Sequence, residues 1–149
     1  MTVKVTKTYT KAFTALRRIG DYRTKVGVHD DGKAYDDGTR VIEVAVWNHF
    51  GTDNIPARPF ITESLAIAAP ELRALYARLV AGVIAGKITD EFAAQYLGQW
   101  AQKEIVDNIN RRFFEVNAAS TIARKGSDTP LVDTGQLKGA IRAAVEKVR

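Results

Sequence analysis

Residues 89–113 read TDEFAAQYLGQWAQKEIVDNINRRF, and this stretch predicts the longest helix of the chain. Thr89 is a residue type that favours the N-cap position. Asp90 and Glu91 follow in the first turn, where the helix dipole favours negative charge. Apolar residues then recur every three or four positions over about six turns. They form one stripe that we expect to face the core: Ala93, Leu97, Trp100, Ala101, Ile105, Ile109 and Phe113.

A second helical stretch comes before it and runs from Thr62 to Gly86. Pro70 falls inside this stretch. A proline either kinks a helix that continues past it or occupies the first turn of a new helix. The sequence leaves both alternatives open. After the proline, the apolar spacing is helical at Leu72, Leu75, Leu79 and Val83.

Three short segments alternate apolar and polar residues and predict strands at 2–8, 24–29 and 139–147. Strands from both chain ends are expected to meet in one sheet. The predicted fold class is α+β, in a single domain over residues 1–149. In it, a small, mostly antiparallel sheet of N-terminal, central and C-terminal strands packs against the two long helices.

Shorter elements complete the predicted domain. A short amphipathic helix is expected at 10–20, and another at 40–50, which Thr39 would cap and Gly51 would end. The polar segment from 114 to 131 has no apolar period and is long for a connection, so it predicts an extended, protruding loop.

Composition restricts the class of protein. The chain has 149 residues, of which 46% are hydrophobic and 26% are charged, as in a globular domain. It has no cysteine, which excludes a disulfide framework, a thiolate zinc site, an iron–sulfur cluster and a cysteine nucleophile. The longest apolar run, 79–85, is far shorter than the roughly 20 residues of a membrane span. We therefore expect a soluble protein, made in the cytoplasm, with no membrane partner.

An aspartate-rich loop is the one candidate for a metal site. A calcium loop places oxygen ligands at alternating positions and ends in a bidentate glutamate. Here the acidic residues are adjacent and followed by glycine, which is typical of a solvated turn. We predict no metal at these residues: Asp30, Asp31, Asp36 and Asp37.

Two histidines, His29 and His49, are the candidates for general-base catalysis. A hydrolytic site also needs a nucleophile and an orienting acid. The sequence contains no nucleophile elbow, no zinc-protease motif, no dinucleotide fingerprint and no phosphate loop. We therefore predict a protein that is not an enzyme, with no catalytic residues and no cofactor. A small hydrolase using either histidine stays as a minor alternative.

Basic residues exceed acidic residues, and the formal net charge is +5. The excess is concentrated in residues 1–29, which hold seven basic residues and one acidic residue. Such a distribution is compatible with a module that binds double-stranded DNA. This is the main alternative function that the sequence leaves open.

The residues from Trp47 to Phe60 combine aromatic side chains with a stiff backbone. Two prolines three positions apart, Pro56 and Pro59, hold the segment extended and stop any helix. Tryptophan, phenylalanine and arginine are the usual anchors of protein interfaces. The same aromatic residues could equally fill the core of this domain, and the sequence does not decide between the two.

Two segments together resemble a family of tailed-bacteriophage morphogenesis proteins, known as tail-completion, neck, minor tail or virion-morphogenesis proteins. The first is VIEVAVWNHFGTDNIPARPF, residues 41–60, in which a helix ends in an aromatic-x-x-Phe-Gly turn followed by Pro-x-Arg-Pro-Phe. The second spans 121–137 and contains TIARKG and PLVDTGQL. The order of the two motifs also matches the family, with two long helices between them, and the resemblance covers roughly residues 20–149.

This resemblance implies a structural virion protein without catalysis. It implies a ring of identical subunits, often a hexamer, at the head–tail junction. Its partners would be further copies of itself and other neck, connector, tail-terminator or tail-tube proteins of the phage. Double-stranded DNA would pass through the lumen without sequence-specific binding. The expected location is the virion, at the head–tail junction or tail, after synthesis in the cytoplasm of the host bacterium.

The resemblance also implies interface residues. In the first motif they are Trp47, Phe50, Gly51, Pro56, Arg58, Pro59 and Phe60. In the second they are Arg124, Lys125, Gly126, Asp133, Thr134, Gly135 and Leu137.

Roles follow for four of these residues. Gly51 and Gly135 would set backbone turns, and Asp133 would cap a single helical turn ahead of the last strand. Arg58 would pair with a carboxylate across a subunit interface.

Overall fold

A computed structural model describes residue 14 and residues 20–111 and 135–148. The elements, in chain order, are β1 (Tyr22–Val28), α1 (Val41–Phe50), α2 (Phe60–Ile67), α3 (Ala69–Ile84), α4 (Asp90–Asn110), α5 (Gln136–Gly139) and β2 (Ile141–Lys147). The predicted α+β class is confirmed, because a two-stranded antiparallel sheet packs against several helices.

The sheet joins segments that are far apart in the sequence. Strands β1 and β2 are antiparallel, with Tyr22 opposite Lys147 and Val28 opposite Ile141. The central and C-terminal strands therefore lie in one antiparallel sheet, as expected. Their predicted bounds, 24–29 and 139–147, are corrected to 22–28 and 141–147, because Gly139 and Ala140 end the helical turn α5. The strand predicted at 2–8 and the loop predicted at 114–131 lie outside the described residues, as does the helix predicted at 10–20 apart from Thr14 and Gly20.

Helix α4 lies directly against the sheet, and Gly98 makes this close approach possible. A Cβ atom at Gly98 would lie 3.0 Å from side-chain carbons of both Thr24 and Ala143. Two hydrogen bonds join the layers. The Thr24 hydroxyl donates to the carbonyl of Ala94 at 3.0 Å, and the Ala143 amide donates to Oε1 of Gln102 at 2.9 Å.

The predicted N-cap of α4 is confirmed, because Oγ1 of Thr89 accepts a hydrogen bond from the Phe92 amide at 3.1 Å. The helix ends at Asn110, and Phe113 lies outside the described residues. Three residues of the predicted stripe are buried: Ala101, Ile105 and Ile109.

Pro70 begins a new helix rather than kinking a continuous one. It lies in the first turn of α3, where its missing amide hydrogen has no helical partner to lose. Helix α2 begins at Phe60, two residues earlier than the predicted start at Thr62. The reason is that the carbonyl of Pro59 already accepts the amide hydrogen bond of the residue four positions later, at 2.9 Å.

The predicted cap of α1 at Thr39 is wrong. Arg40 occupies the N-cap position, and its amide donates to Oε2 of Glu43 at 3.0 Å. Thr39 belongs to the preceding loop, where its amide donates to Oδ1 of Asp37 at 2.9 Å. The glutamate carboxylate in the first turn replaces the short polar side chain expected at the cap.

One hydrophobic core lies where α1, α2, α4, α5 and β2 meet. Phe60, Ile105 and Ile109 are completely buried. The remaining members of this core are Val41, Ala45, Leu137, Ala140 and Ile141. None of the helices in the described part of the chain is long and apolar enough to cross a lipid bilayer.

Candidate interaction surface

The first motif folds into a helix followed by a tight turn that returns along it. The Gly51 amide donates to the carbonyl of Trp47 at 2.9 Å and ends α1. The Thr52 amide donates to the carbonyl of Ile55 at 2.8 Å and closes the turn. The Arg58 amide then donates to the carbonyl of Asn48 at 2.6 Å, so the extended segment is joined to the helix that precedes it.

Gly51 is required by this geometry in two ways. Its φ of 80° and ψ of 170° lie in a region that is essentially limited to glycine. A Cβ atom would also lie 3.0 Å from both the Ala57 nitrogen and the Ile55 oxygen. The prediction that Gly51 sets a backbone turn therefore agrees with the structure.

Arg58 does not fit its predicted role at a subunit interface. It is only 4% exposed, and its Nη1 donates to Oδ1 of Asn48 at 3.3 Å. Asn48 is itself held in place, because its Nδ2 donates to the carbonyl of Val44 at 2.8 Å. The guanidinium lies inside its own domain because the chain after Gly51 folds back onto α1, so Arg58 stabilises this turn instead of reaching across an interface.

The aromatic residues of the motif divide between the core and the surface. Phe60 is completely buried, whereas Trp47 is 40% exposed and Phe50 is 74% exposed. Val46, which sequence reasoning missed, is also exposed and shares one side of α1 with them. We call Val46, Trp47 and Phe50 the aromatic face. The only sequence signal for Val46 was its helical spacing of four residues from Phe50.

His49 lies beneath the aromatic face and between two phenylalanine rings. Its ring packs edge-on against Phe50, with centroids 4.7 Å apart, and against Phe60, with centroids 5.3 Å apart. Its Nδ1 atom is buried without a hydrogen-bond partner among the described residues. Burial lowers the pKa of His49 below its usual 6.5, and the charge of Glu63 opposes this effect.

Acidification is therefore expected to destabilise the fold through His49. The neutral ring is favoured in the folded state, so the unfolded chain takes up the proton first. The free energy of unfolding should fall as the pH drops below 6.5, the ordinary pKa of histidine. Urea unfolding between pH 7.5 and 5 measures this slope. His49→Gln should flatten the dependence of the unfolding free energy on pH. An unchanged slope in His49→Gln would contradict the assignment.

The second motif meets the first through α5. Gly135 has a φ of 74° and precedes this single helical turn. Helix α5 packs against α1, and its residue Leu137 is 2% exposed. Leu137 therefore belongs to the core because α1 covers it, and its predicted interface role is corrected. The same correction applies to the buried Phe60.

The other predicted interface residues differ in their exposure or lie outside the described residues. Pro56 is exposed, and Pro59 and Gly51 are half-buried. The rest lie outside the described residues: Arg124, Lys125, Gly126, Asp133 and Thr134.

The aspartate-rich loop forms ion pairs with nearby cations. Asp31 accepts from Arg142 at 2.9 Å and from Lys33 at 3.1 Å, and Asp30 accepts from Arg40 at 3.1 Å. The hydrogen bond from Lys33 lowers the pKa of Asp31. Among residues 20–111 and 135–148, no group of three histidine, aspartate or glutamate side chains could hold a metal ion.

The arrangement is suited to contact with another macromolecule. It presents large apolar side chains from a helix end that a glycine turn and a buried arginine hold in place. Comparisons with protein-family models, with curated proteins and with solved structures find no match for this chain.

Proposed function

We propose that this chain is a structural virion protein of a tailed phage or prophage. In this proposal it assembles with copies of itself into a ring, of which the expected form is a hexamer. The ring lies at the head–tail junction, as a tail-completion or neck component, and DNA passes through it. The observation that carries the proposal is the aromatic face, which lies in the motif that resembles the phage family and is exposed.

The physical support comes from the kind of side chains exposed and from how rigidly they are held. Aromatic residues account for much of the binding energy of protein interfaces. Phe50 is 74% exposed although it directly precedes the Gly51 turn that pins the helix end. A surface that is already ordered loses little conformational entropy on binding. Burial of this surface in an assembly is therefore favoured over its exposure to water.

The alternative of a double-stranded-DNA-binding module receives less support from the described residues. On the outer face of the sheet, Glu146 pairs with Lys25 at 3.0 Å and with Arg23 at 3.6 Å. Arg142 pairs with Asp31. Cations that already face carboxylates contribute less to phosphate binding. A salt-dependent affinity for duplex DNA at about 100 mM salt would favour this alternative.

Substitution of the most exposed aromatic residue tests the proposed assembly. Wild-type protein should form a discrete oligomer, and Phe50→Asp should raise its dissociation constant at least about 30-fold, because a charge replaces an interface anchor. Mass in solution across a concentration series measures this change. Ile67→Asp is the matched control, since Ile67 is 57% exposed on α2, outside the aromatic face. Equal masses for wild type and Phe50→Asp would contradict the proposal.

A second experiment addresses the place of the ring in the virion. In a host that carries the encoding phage or prophage, Phe50→Asp should leave unjoined heads and tails, visible by electron microscopy. Ile67→Asp should give joined particles. Joined, infectious particles from Phe50→Asp would exclude this surface from the head–tail junction.

A further inference from the structure

A second apolar surface, separate from the aromatic face, lies at the beginning of helix α4. It is a cleft of about 260 Å³ between β1, α3 and the first two turns of α4. Its walls are mainly apolar, and Asp90 is the one charged residue that lines it within the described part of the chain. Apolar and aromatic residues that line the cleft include Tyr22, Tyr76, Leu79, Val83 and Leu97.

The size of the cleft suits inserted side chains. Pockets for small-molecule ligands typically measure roughly 300–1,000 Å³. The volume of about 260 Å³ lies below that range. Four of the ten lining residues carry polar groups, namely Tyr22, Thr24, Tyr76 and Asp90, and the Thr24 hydroxyl already donates to the carbonyl of Ala94. The larger part of the wall surface is apolar. An apolar side chain fits such a space better than a polar ligand does.

The cleft and the core that α1 joins lie at different ends of α4. Helix α1 joins the core together with Ile105 and Ile109, near the end of α4. The cleft is lined by residues 90–97, at the beginning of α4. Ile109 lies 15 positions after Ala94, which corresponds to about 22 Å along the helix. The aromatic face is carried by α1, which packs at the far end of α4 from the cleft, so we treat the two as separate surfaces.

We propose that the aromatic face of one subunit inserts into the cleft of a second copy of this chain, with Phe50 and Trp47 entering between α3 and α4. This inference rests on the proposed self-assembly and specifies its geometry. The two surfaces differ, so the contact is head-to-tail. Repeated contacts of this kind close into a ring or continue as a filament.

The area available for burial favours this arrangement over a symmetric dimer. Given the exposures of its three members, the aromatic face offers on the order of 300 Å². A stable interface buries about 800 Å² on each partner. A dimer made by two aromatic faces would leave every cleft empty. In a head-to-tail ring each subunit buries both surfaces, with the polar rims supplying the remaining area.

Mixing two variants, each with one of the two surfaces disrupted, tests the head-to-tail contact. Phe50→Asp keeps an intact cleft, and Tyr76→Asp, at a residue that is 51% exposed, keeps an intact aromatic face. Each variant alone should be monomeric. An equimolar mixture should form a one-to-one heterodimer and grow no further, because only one intact contact exists per pair. Native mass spectrometry with one partner isotopically labelled distinguishes the heterodimer from homodimers. Val80→Asp is a second cleft variant, and circular dichroism checks that each variant is folded.

Burial of the aromatic face gives an independent readout. The chain has two tryptophans, Trp47 and Trp100. In a Trp100→Phe background, the emission of Trp47 should shift to shorter wavelength when Tyr76→Asp is mixed with Phe50→Asp. The Phe50→Asp partner carries Trp47→Phe, so that the signal comes from the intact face alone.

The other outcomes separate this inference from the proposed function. Two outcomes would show that the cleft is not the acceptor while leaving self-assembly in place. In the first, folded Tyr76→Asp and Val80→Asp assemble as the wild type does. In the second, Tyr76→Asp forms a homodimer. If both variants are monomeric and the mixture gives no heterodimer, the head-to-tail contact is also overturned. A wild-type chain that is monomeric at every concentration would overturn both the inference and the proposed ring.

Discussion

Phe60→Ala should lower the free energy of unfolding by about 3–5 kcal/mol. Phe60 is completely buried and belongs to the core formed with Ile105 and Ile109. Removing its ring loses apolar burial and leaves a cavity that the surrounding helices cannot fill completely. Urea or thermal unfolding monitored by circular dichroism measures the difference.

Phe50→Ala provides a control with the same chemical change. Phe50 is 74% exposed, so its removal should change the free energy of unfolding of the isolated subunit by no more than about 0.5 kcal/mol. The pair of variants separates stability from assembly, because Phe50→Ala should weaken self-association without unfolding the subunit. Equal destabilisation by both variants would contradict the assignment of the two aromatics to surface and core.

Gly51→Ala should lower the free energy of unfolding by about 2–3 kcal/mol. Its backbone conformation strains any residue with a Cβ atom. The new methyl would also lie 3.0 Å from backbone atoms of Ala57 and Ile55, which cannot rotate away as a side chain can. The turn would have to open, and the Arg58–Asn48 contact would loosen with it. Chemical unfolding measures the loss of stability.

Gly86→Ala is the matched control for this prediction. Gly86 also has a positive φ, of 70°, but nothing lies within 4 Å of the position its Cβ would take. Its substitution should cost only about 1 kcal/mol, as is usual for a left-handed residue without steric conflict. If the two glycine variants were equally destabilised, close approach at Gly51 would not be the cause.

The helices were predictable because their signals are local. The N-cap at Thr89 is a contact between residues three positions apart, and the stripe through Ala101, Ile105 and Ile109 follows from helical periodicity alone. The boundary at Pro70 was only partly predictable. A proline is compatible with a kink or a new start, and the residues around Pro70 do not decide between the two.

The sequence predicted the turn in the first motif but not which of its aromatic residues lie in the core and which on the surface. Trp47 and Phe60 flank the same glycine turn, and nothing in their local sequence separates surface from core. The difference arises because Phe60 meets Ile105 and Leu137, which come from distant parts of the chain. The burial of Arg58 was not predictable for the same reason, since it depends on the turn folding back onto α1.

A polar contact inside the core is a further feature of tertiary origin. Asn108 and Ser64 are both buried, and Nδ2 of Asn108 donates to Oγ of Ser64 at 2.8 Å. The Ser64 hydroxyl in turn donates to the carbonyl of Phe60. The sequence places Asn108 between two core isoleucines but offers no sign of its partner, because the two residues are 44 positions apart.

By itself, the sequence determined the helical and strand character of the main segments that the structure describes, the α+β class and the rigid glycine–proline turn. Those features depend on the spacing of apolar residues and on backbone preferences within a few positions. The tertiary structure alone decided that Trp47 and Phe50 are exposed, that Arg58 and Leu137 are buried, and that a cleft opens beside β1. Exposure is a property of the surfaces that meet after folding, and those surfaces are contributed by residues that are remote in the chain.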